Sequence, residues 1–263
     1  DYNRDTQRRR IFTVDYRNPA SSTLVSDTNV NDRYNDIGTP VTKVLPNGAN
    51  VVRQNGDDIF LTGTGASPQG DRPFFRRMNL KTQKIDEIWR SGTDEYESFA
   101  GMIDDDGMSF LTRKESISEP PNVFMRQVCP AGRVCTALAY RQITDFKDPS
   151  PLLRGIKKQL VKYKRADGVD LSFTLYTPPG YKPGTPLPTL VWAYPQEFTD
   201  TSTAGQVSGS TNRFTQMGGI SHLFFVLQGY AVLDDATMPI VGDPETVNDT
   251  FIKQTVDSAQ AAI

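Results

Sequence analysis

An all-β repeat region followed by a parallel α/β unit is the fold class this sequence predicts, and two observations predict it. Short apolar strands recur in the first part at an offset close to fifty residues: segment 58–62 (DIFLT) returns as 108–112 (MSFLT), 74–78 (FFRRM) as 122–126 (NVFMR), and 85–89 as 136–140. In the last part, residues 187–240 read strand, loop, helix, strand. A crossover of that kind joins parallel neighbours, and ligands sit at the carboxyl ends of such strands.

Composition bounds the partners. The 263 residues are 37% hydrophobic and 23% charged, enough to bury a sizeable core and long enough for two domains. With 29 basic and 31 acidic side chains, no net field favours nucleic acid or an anionic membrane. The run Arg8-Arg9-Arg10 reads as a solvated strand end or as a polyanion site. No segment approaches the ~20 apolar residues of a membrane span, and the first ten residues lack the apolar region of a signal peptide. The chain reads as starting mid-protein, which leaves an upstream leader open. Cys129 and Cys135 stand six apart around a turn. They suit either a hairpin disulfide, pointing to a periplasmic or secreted protein, or two reduced thiols. One histidine in the whole chain is too few for a Cys/His zinc site, and neither metal nor cofactor is expected.

Residues 1–150 carry the repeat. About four strands per unit, joined by hairpin turns at 79–83 and 104–107, is what a β-propeller blade requires. Strands at 10–16 and 22–25 read as the tail of an earlier blade, giving about two and a half in all; an irregular β-sandwich is the other reading. Propellers close with about four to eight blades, so this number requires more chain.

Residues 151–263 change character after the proline-bearing connector 145–155. Segments 159–165 and 169–177 flank the turn Ala166-Asp167-Gly168, with Leu171, Phe173 and Leu175 on one face, and predict an antiparallel hairpin. The run 189–194, bounded by Pro188 and Pro195, predicts a strand buried on both faces; 230–233 predicts its partner. Between them Ile220, Leu223, Phe224 and Leu227 fall at helical spacing, and Gly229 stands where a helix ends. Phe251, Ile252, Thr255, Val256 and Ala259 predict an amphipathic helix over 248–263, capped by Asn248 or Asp249. Asn248-Asp249-Thr250 also matches a glycosylation sequon, a pattern short enough to arise by chance.

This order of elements resembles the prolyl oligopeptidase family of serine peptidases. The motifs WAYPQEF (192–198), GSTNRF (209–214), LFFVLQGYAVLD (223–234) and TMPIVGD (237–243) are similar to its glutamyl endopeptidase-like branch. The resemblance is strong over 168–263, weaker over ESISEPPNVF and TDFKDPSPLLRG, and architectural only before residue 94. It implies a partial β-propeller (1–150) above the first half of an α/β-hydrolase domain (151–263), with peptide bonds cleaved by a Ser-His-Asp triad. An esterase on the same fold, or a non-catalytic propeller module with a hydrolase remnant, are the alternatives.

The nucleophile of that family sits in G-x-S-x-G, and no serine here has glycines on both sides at that spacing. The resemblance therefore puts nucleophile, acid and histidine beyond residue 263, in a missing half of the domain carried by the same or a cleaved chain. The 263 residues alone are expected to be inactive. His222 precedes the crossover helix and is read as a helix-start or surface histidine. Tyr194 is either the oxyanion donor, as the resemblance implies, or a strand-end residue packing the pocket floor. Arg213 is either a fork for a substrate carboxylate or the ion-pair partner of Glu197 or Asp200. Glu197 is a candidate for binding a substrate amino group.

Overall fold

The computed structural model describes residues 1–129 and 139–263. The strands β1 (Tyr2–Asn3), β2 (Arg8–Asp15) and β3 (Asn18–Asn29) form an antiparallel three-stranded sheet. After β4 (Thr39–Pro40) comes the hairpin of β5 (Thr42–Val44) and β6 (Asn50–Val52). Then β7 (Gln54–Asn55), β8 (Asp58–Gly63), β9 (Phe74–Asn79) and β10 (Ile85–Arg90) build a sheet with β4, ordered β10-β9-β8-β4. A second meander follows: β11 (Tyr96–Met102), β12 (Ser109–Glu115), β13 (Asn122–Gln127) and β14 (Tyr140–Gln142), each antiparallel to its neighbour.

The fifty-residue repeat is thus structural: β8 and β9 recur as β12 and β13. The third repeated segment, 136–140, falls mostly outside the described residues, as does Cys135. The two sheets meet in a propeller-like packing through Phe60, Phe75 and Phe110, all essentially buried. Phe75 stacks on Phe99 at 4.6 Å between ring centroids and lies 5.0 Å from Phe110. Three such side chains contribute on the order of 2 kcal/mol each through burial alone.

The buried carboxylate of Glu97 takes a bidentate pair from Arg126 (2.6 and 2.5 Å) and a bond from the Thr112 hydroxyl, so its charge is matched inside the second sheet. Gly65 sits at φ 61°, and a Cβ there would overlap the Arg72 carbonyl oxygen. Gly65→Ala is therefore expected to destabilise by about 2–3 kcal/mol, read as a lower urea midpoint at unchanged slope.

The last sheet comprises β15 (Lys157–Lys164), β16 (Asp170–Thr177), β17 (Thr189–Phe198) and β18 (Ala231–Val241), ordered β15-β16-β18-β17. The predicted hairpin is present as β15 and β16, with Gly168 at φ 91° in its turn. The predicted parallel pair is also present: Thr189 faces Ala231, Leu190 faces Val232 and Val191 faces Leu233.

Four expectations need correction. Within these 263 residues the strand read as buried on both faces lies at the sheet edge, with Trp192 54% and Tyr194 87% exposed. Pro195 does not end it, because an edge strand tolerates a residue that cannot donate. The crossover helix is a 3-10 helix, His222–Gln228, whose buried residue is Val226; Ile220 is fully exposed and Phe224 and Leu227 are partly so. Gly229 does end it, in the left-handed region at φ 88°.

The fourth correction concerns the last helix. After α1 (Thr201–Ala204), α2 (Phe251–Ala262) follows a 3-10 turn, and its N-cap is Thr250 rather than Asn248 or Asp249. Its inward face carries Gln254 and Ser258, while Ile252 and Val256 point out. The reason is Arg165, 2% exposed, which donates to Pro239 O (2.7 Å), Ser258 Oγ (3.1 Å), Gln254 Oε1 (3.0 Å) and the Asp167 carboxylate (2.9 Å). A buried guanidinium demands polar partners, and the helix turns its polar stripe to supply them.

Candidate functional site

The geometry around Tyr194 follows from a bulge. Between Val191 and Ala193 the β17–β18 register slips, so Trp192 stands against both Asp234 and Asp235. Asp235 takes φ 53°, unusual for a side chain other than glycine, and bulges of this kind re-aim the residues beside them. Beyond the slip, Tyr194 pairs with Thr237 and Glu197 with Ile240. Tyr194 is therefore mid-strand, four residues short of the carboxyl end where the sequence put it.

The second half of β17 is held from the first sheet. Gln7, itself at φ 51°, donates to Glu197 O (3.3 Å) and accepts from Thr199 N (3.2 Å), and Gln196 reaches Asn31 at 3.3 Å. These bonds cover part of an otherwise unpaired strand edge.

Tyr194 opens on a cavity of about 80 Å³ lined by Arg33, Gln196, Gln206, Ser208, Asp235 and Thr237, among others. Asp235 Oδ2 accepts from Ser208 Oγ at 3.3 Å, and Thr237 Oγ1 bonds both the amide and the carbonyl of Ser172 (2.8 and 3.2 Å). The phenol is thus an exposed donor beside a polar recess whose own groups are mostly fixed.

Arg213 is elsewhere. Its guanidinium lies 3.8 Å from the Glu115 carboxylate and 4.9 Å from the centre of the Tyr96 ring. The expected pairing with Glu197 or Asp200 does not occur, since Asp200 caps α1 by accepting from Ser202 N (2.8 Å). The Glu197 side chain is exposed and outside the residues lining the cavity. Of the three residues singled out in the sequence, only Tyr194 borders it.

Residues 207–215 strap the last sheet to the two meanders. Asp71 N donates to Gly209 O (2.7 Å), Asp71 Oδ2 accepts from Gly209 N (3.1 Å), and Glu115 Oε2 accepts from Phe214 N (2.8 Å). Lys158 reaches Arg213 O, and burial pushes its pKa down to about 8 despite Glu115. Burial likewise pushes Asp71 up to about 6, against the pull of the Gly209 amide, Arg33 and Arg213. A carboxyl raised on folding stabilises most below its unfolded pKa of about 4, and that stabilisation is lost as pH rises to about 6. Asp71→Asn is expected to flatten this part of the thermal-stability profile between pH 4 and 6; an unchanged slope there would show that Asp71 does not titrate.

Two features escaped the sequence reading, the pairing of His222 and the place of Arg33. His222 does open the crossover helix, but its Nε2 also meets Asp234 Oδ1 at 2.5 Å while its ring stacks on Trp192 at 4.3 Å. Arg33 comes from the loop after β3, which no spacing ties to Tyr194. Only the crossover and the packing of the first sheet bring these groups together.

No family model matches the chain. It is 37% identical over 259 residues to a probable glutamyl endopeptidase, chloroplastic, of Oryza sativa subsp. japonica, covering 92% of this chain and 27% of that protein. A protein of the same name from Arabidopsis thaliana is 34% identical over 277 residues, covering 98% of this chain and 28% of its own length. The chain therefore spans about a quarter of the curated relatives it matches. Among solved structures, one from a study of two prolyl endopeptidases covers 96% of this chain and 32% of its own, at 17% identity and a TM-score of 0.47.

Proposed function

Starting from a chain related along nearly its whole length to glutamyl endopeptidases, the branch of the prolyl oligopeptidase family its motifs resemble, we propose that the protein containing it is a serine-type endopeptidase. In this reading residues 1–150 are propeller blades limiting access, and 151–263 are the first half of an α/β-hydrolase domain. The name shared by the relatives makes a glutamyl side chain the proposed substrate feature.

The observation that carries the proposal is the parallel β17–β18 pair with Tyr194 standing exposed beside a polar cavity. A phenol fixed on a strand costs no reorganisation when a tetrahedral intermediate forms, and its hydrogen bond is strongest when the carbonyl oxygen has become an anion. The triad is assigned to the roughly three quarters of the relatives' length that this chain does not span. We leave His222 out of it, because it opens the crossover helix and no serine hydroxyl among the described residues bonds its ring.

Full-length protein should cleave blocked peptides with glutamate before the scissile bond; a matched ester is intrinsically easier to hydrolyse, so peptide cleavage is the deciding readout. The isolated 263 residues should hydrolyse neither. Ester hydrolysis without peptide cleavage by the full-length protein would replace the peptidase reading with an esterase.

A further inference from the structure

We propose that Arg33 is the residue that selects an acidic side chain in the substrate, a reading that rests on the peptidase assignment above. Of the cationic side chains, Arg213 was the one the motif suggested, but it lies outside the cavity lining, beside Glu115 and Tyr96. Arg33 lines the Tyr194 cavity. Among the described residues its guanidinium has no hydrogen bond or ion pair, although Asp235 borders the same recess. Apart from the longer-range pull on Asp71, the exposed guanidinium is left to solvent at the rim of the recess, and a guanidinium fork matches a carboxylate in two parallel bonds.

The backbone that carries Arg33 is fixed. Gln206 Oε1 accepts from the amides of Arg33 (2.7 Å) and Tyr34 (3.2 Å), Gln206 Nε2 donates to Asp32 Oδ1 (2.9 Å), and Tyr34 OH accepts from Val207 N (2.8 Å). Asp32 also accepts from the Asn35 amide and side chain. A loop held this way presents its side chain with little ordering left to do on binding.

The recess has the dimensions of a subsite. At about 80 Å³ it is well below the ~300 Å³ or more of a pocket that takes a whole small ligand. One substrate side chain inside, with the peptide backbone running past Tyr194, puts the recognised residue next to the bond under attack. Asp235, whose carboxylate accepts from Ser208, lines the same recess and repels an entering acid, so the pair with Arg33 has to outweigh that repulsion.

The test compares kcat/KM of the full-length protein and its Arg33 variants on peptides that differ only as Glu or Gln before the scissile bond. Losing a charge-assisted pair is worth about 1.5–3 kcal/mol, so the Glu-over-Gln ratio should fall by about 10–100-fold in Arg33→Gln. Arg33→Lys should restore part of it, and Arg33→Glu should rank a lysyl peptide above a glutamyl one. An unchanged ratio in Arg33→Gln, or equal losses on both peptides, overturns the assignment. If wild type cleaves no peptide, the peptidase reading fails by itself. Calorimetric titration with N-acetyl dipeptide amides ending in Glu or Gln then decides Arg33: tighter binding of the Glu form that vanishes in Arg33→Gln supports it, and equal binding refutes it.

Discussion

Tyr194→Phe in the full-length protein is expected to lower kcat by about 10²–10³-fold while leaving KM within a few-fold of wild type. Within the described residues Tyr194 is 87% exposed and no hydrogen bond of its hydroxyl holds the fold, so removing the oxygen leaves this part of the structure intact. What is lost is a donor for charge that exists only in the transition state, on the order of 3 kcal/mol. A phenol that merely packed the pocket floor would leave kcat unchanged on removal of its oxygen. Steady-state kinetics on one glutamyl peptide separate the two, because only a donor to the intermediate splits kcat from KM.

The second large effect lies in the frame behind the site. Arg165→Leu is expected to loosen α2 from the sheet by about 2–4 kcal/mol, since Pro239 O, the Gln254 side chain and Ser258 all lose a buried donor. Ser258→Ala removes one of the partners of the guanidinium and the bond that Ser258 donates to Gln254 O, but leaves Arg165 bonded to Pro239 O, Gln254 and Asp167, and should cost about 1 kcal/mol. Hydrogen exchange reads the difference directly: amides of α2 should lose protection by about 30-fold or more in the first variant and by less than 10-fold in the second. Equal protection in both would mean that the guanidinium is not what holds the helix.

Arg165 also shows why parts of the fold were illegible. Apolar spacing on α2 picked out Ile252 and Val256, but spacing reports which residues are oily and not what lies opposite. A buried cation at the end of β15 reverses the face, and that cation is 89 positions away from Gln254 in sequence. The same reasoning applies to β17. Its apolar run was read as covered on both sides, yet within these residues the strand lies at the sheet edge, where Pro195 is tolerated and Trp192 and Tyr194 are exposed. Legible features were those with a period: the fifty-residue recurrence of β8 and β9 as β12 and β13, the hairpin of β15 and β16, and the crossover with Gly229 at its end. Tyr194, which borders the cavity, was singled out because it sits inside a motif. Arg33 and the His222–Asp234 pair were not, because contacts made across the chain by loops and a crossover leave no local pattern.

The most direct measurement of the central claim, that Tyr194 and its cavity are one wall of a serine-peptidase cleft, is to label the full-length protein with a fluorophosphonate and map the modified residue by peptide mass. The expected result is one labelled serine outside residues 1–263, with labelling slowed in Tyr194→Phe because the phosphonyl oxygen uses the same donor. Label on a serine within these residues, or a nucleophile whose labelling rate ignores Tyr194, would contradict it.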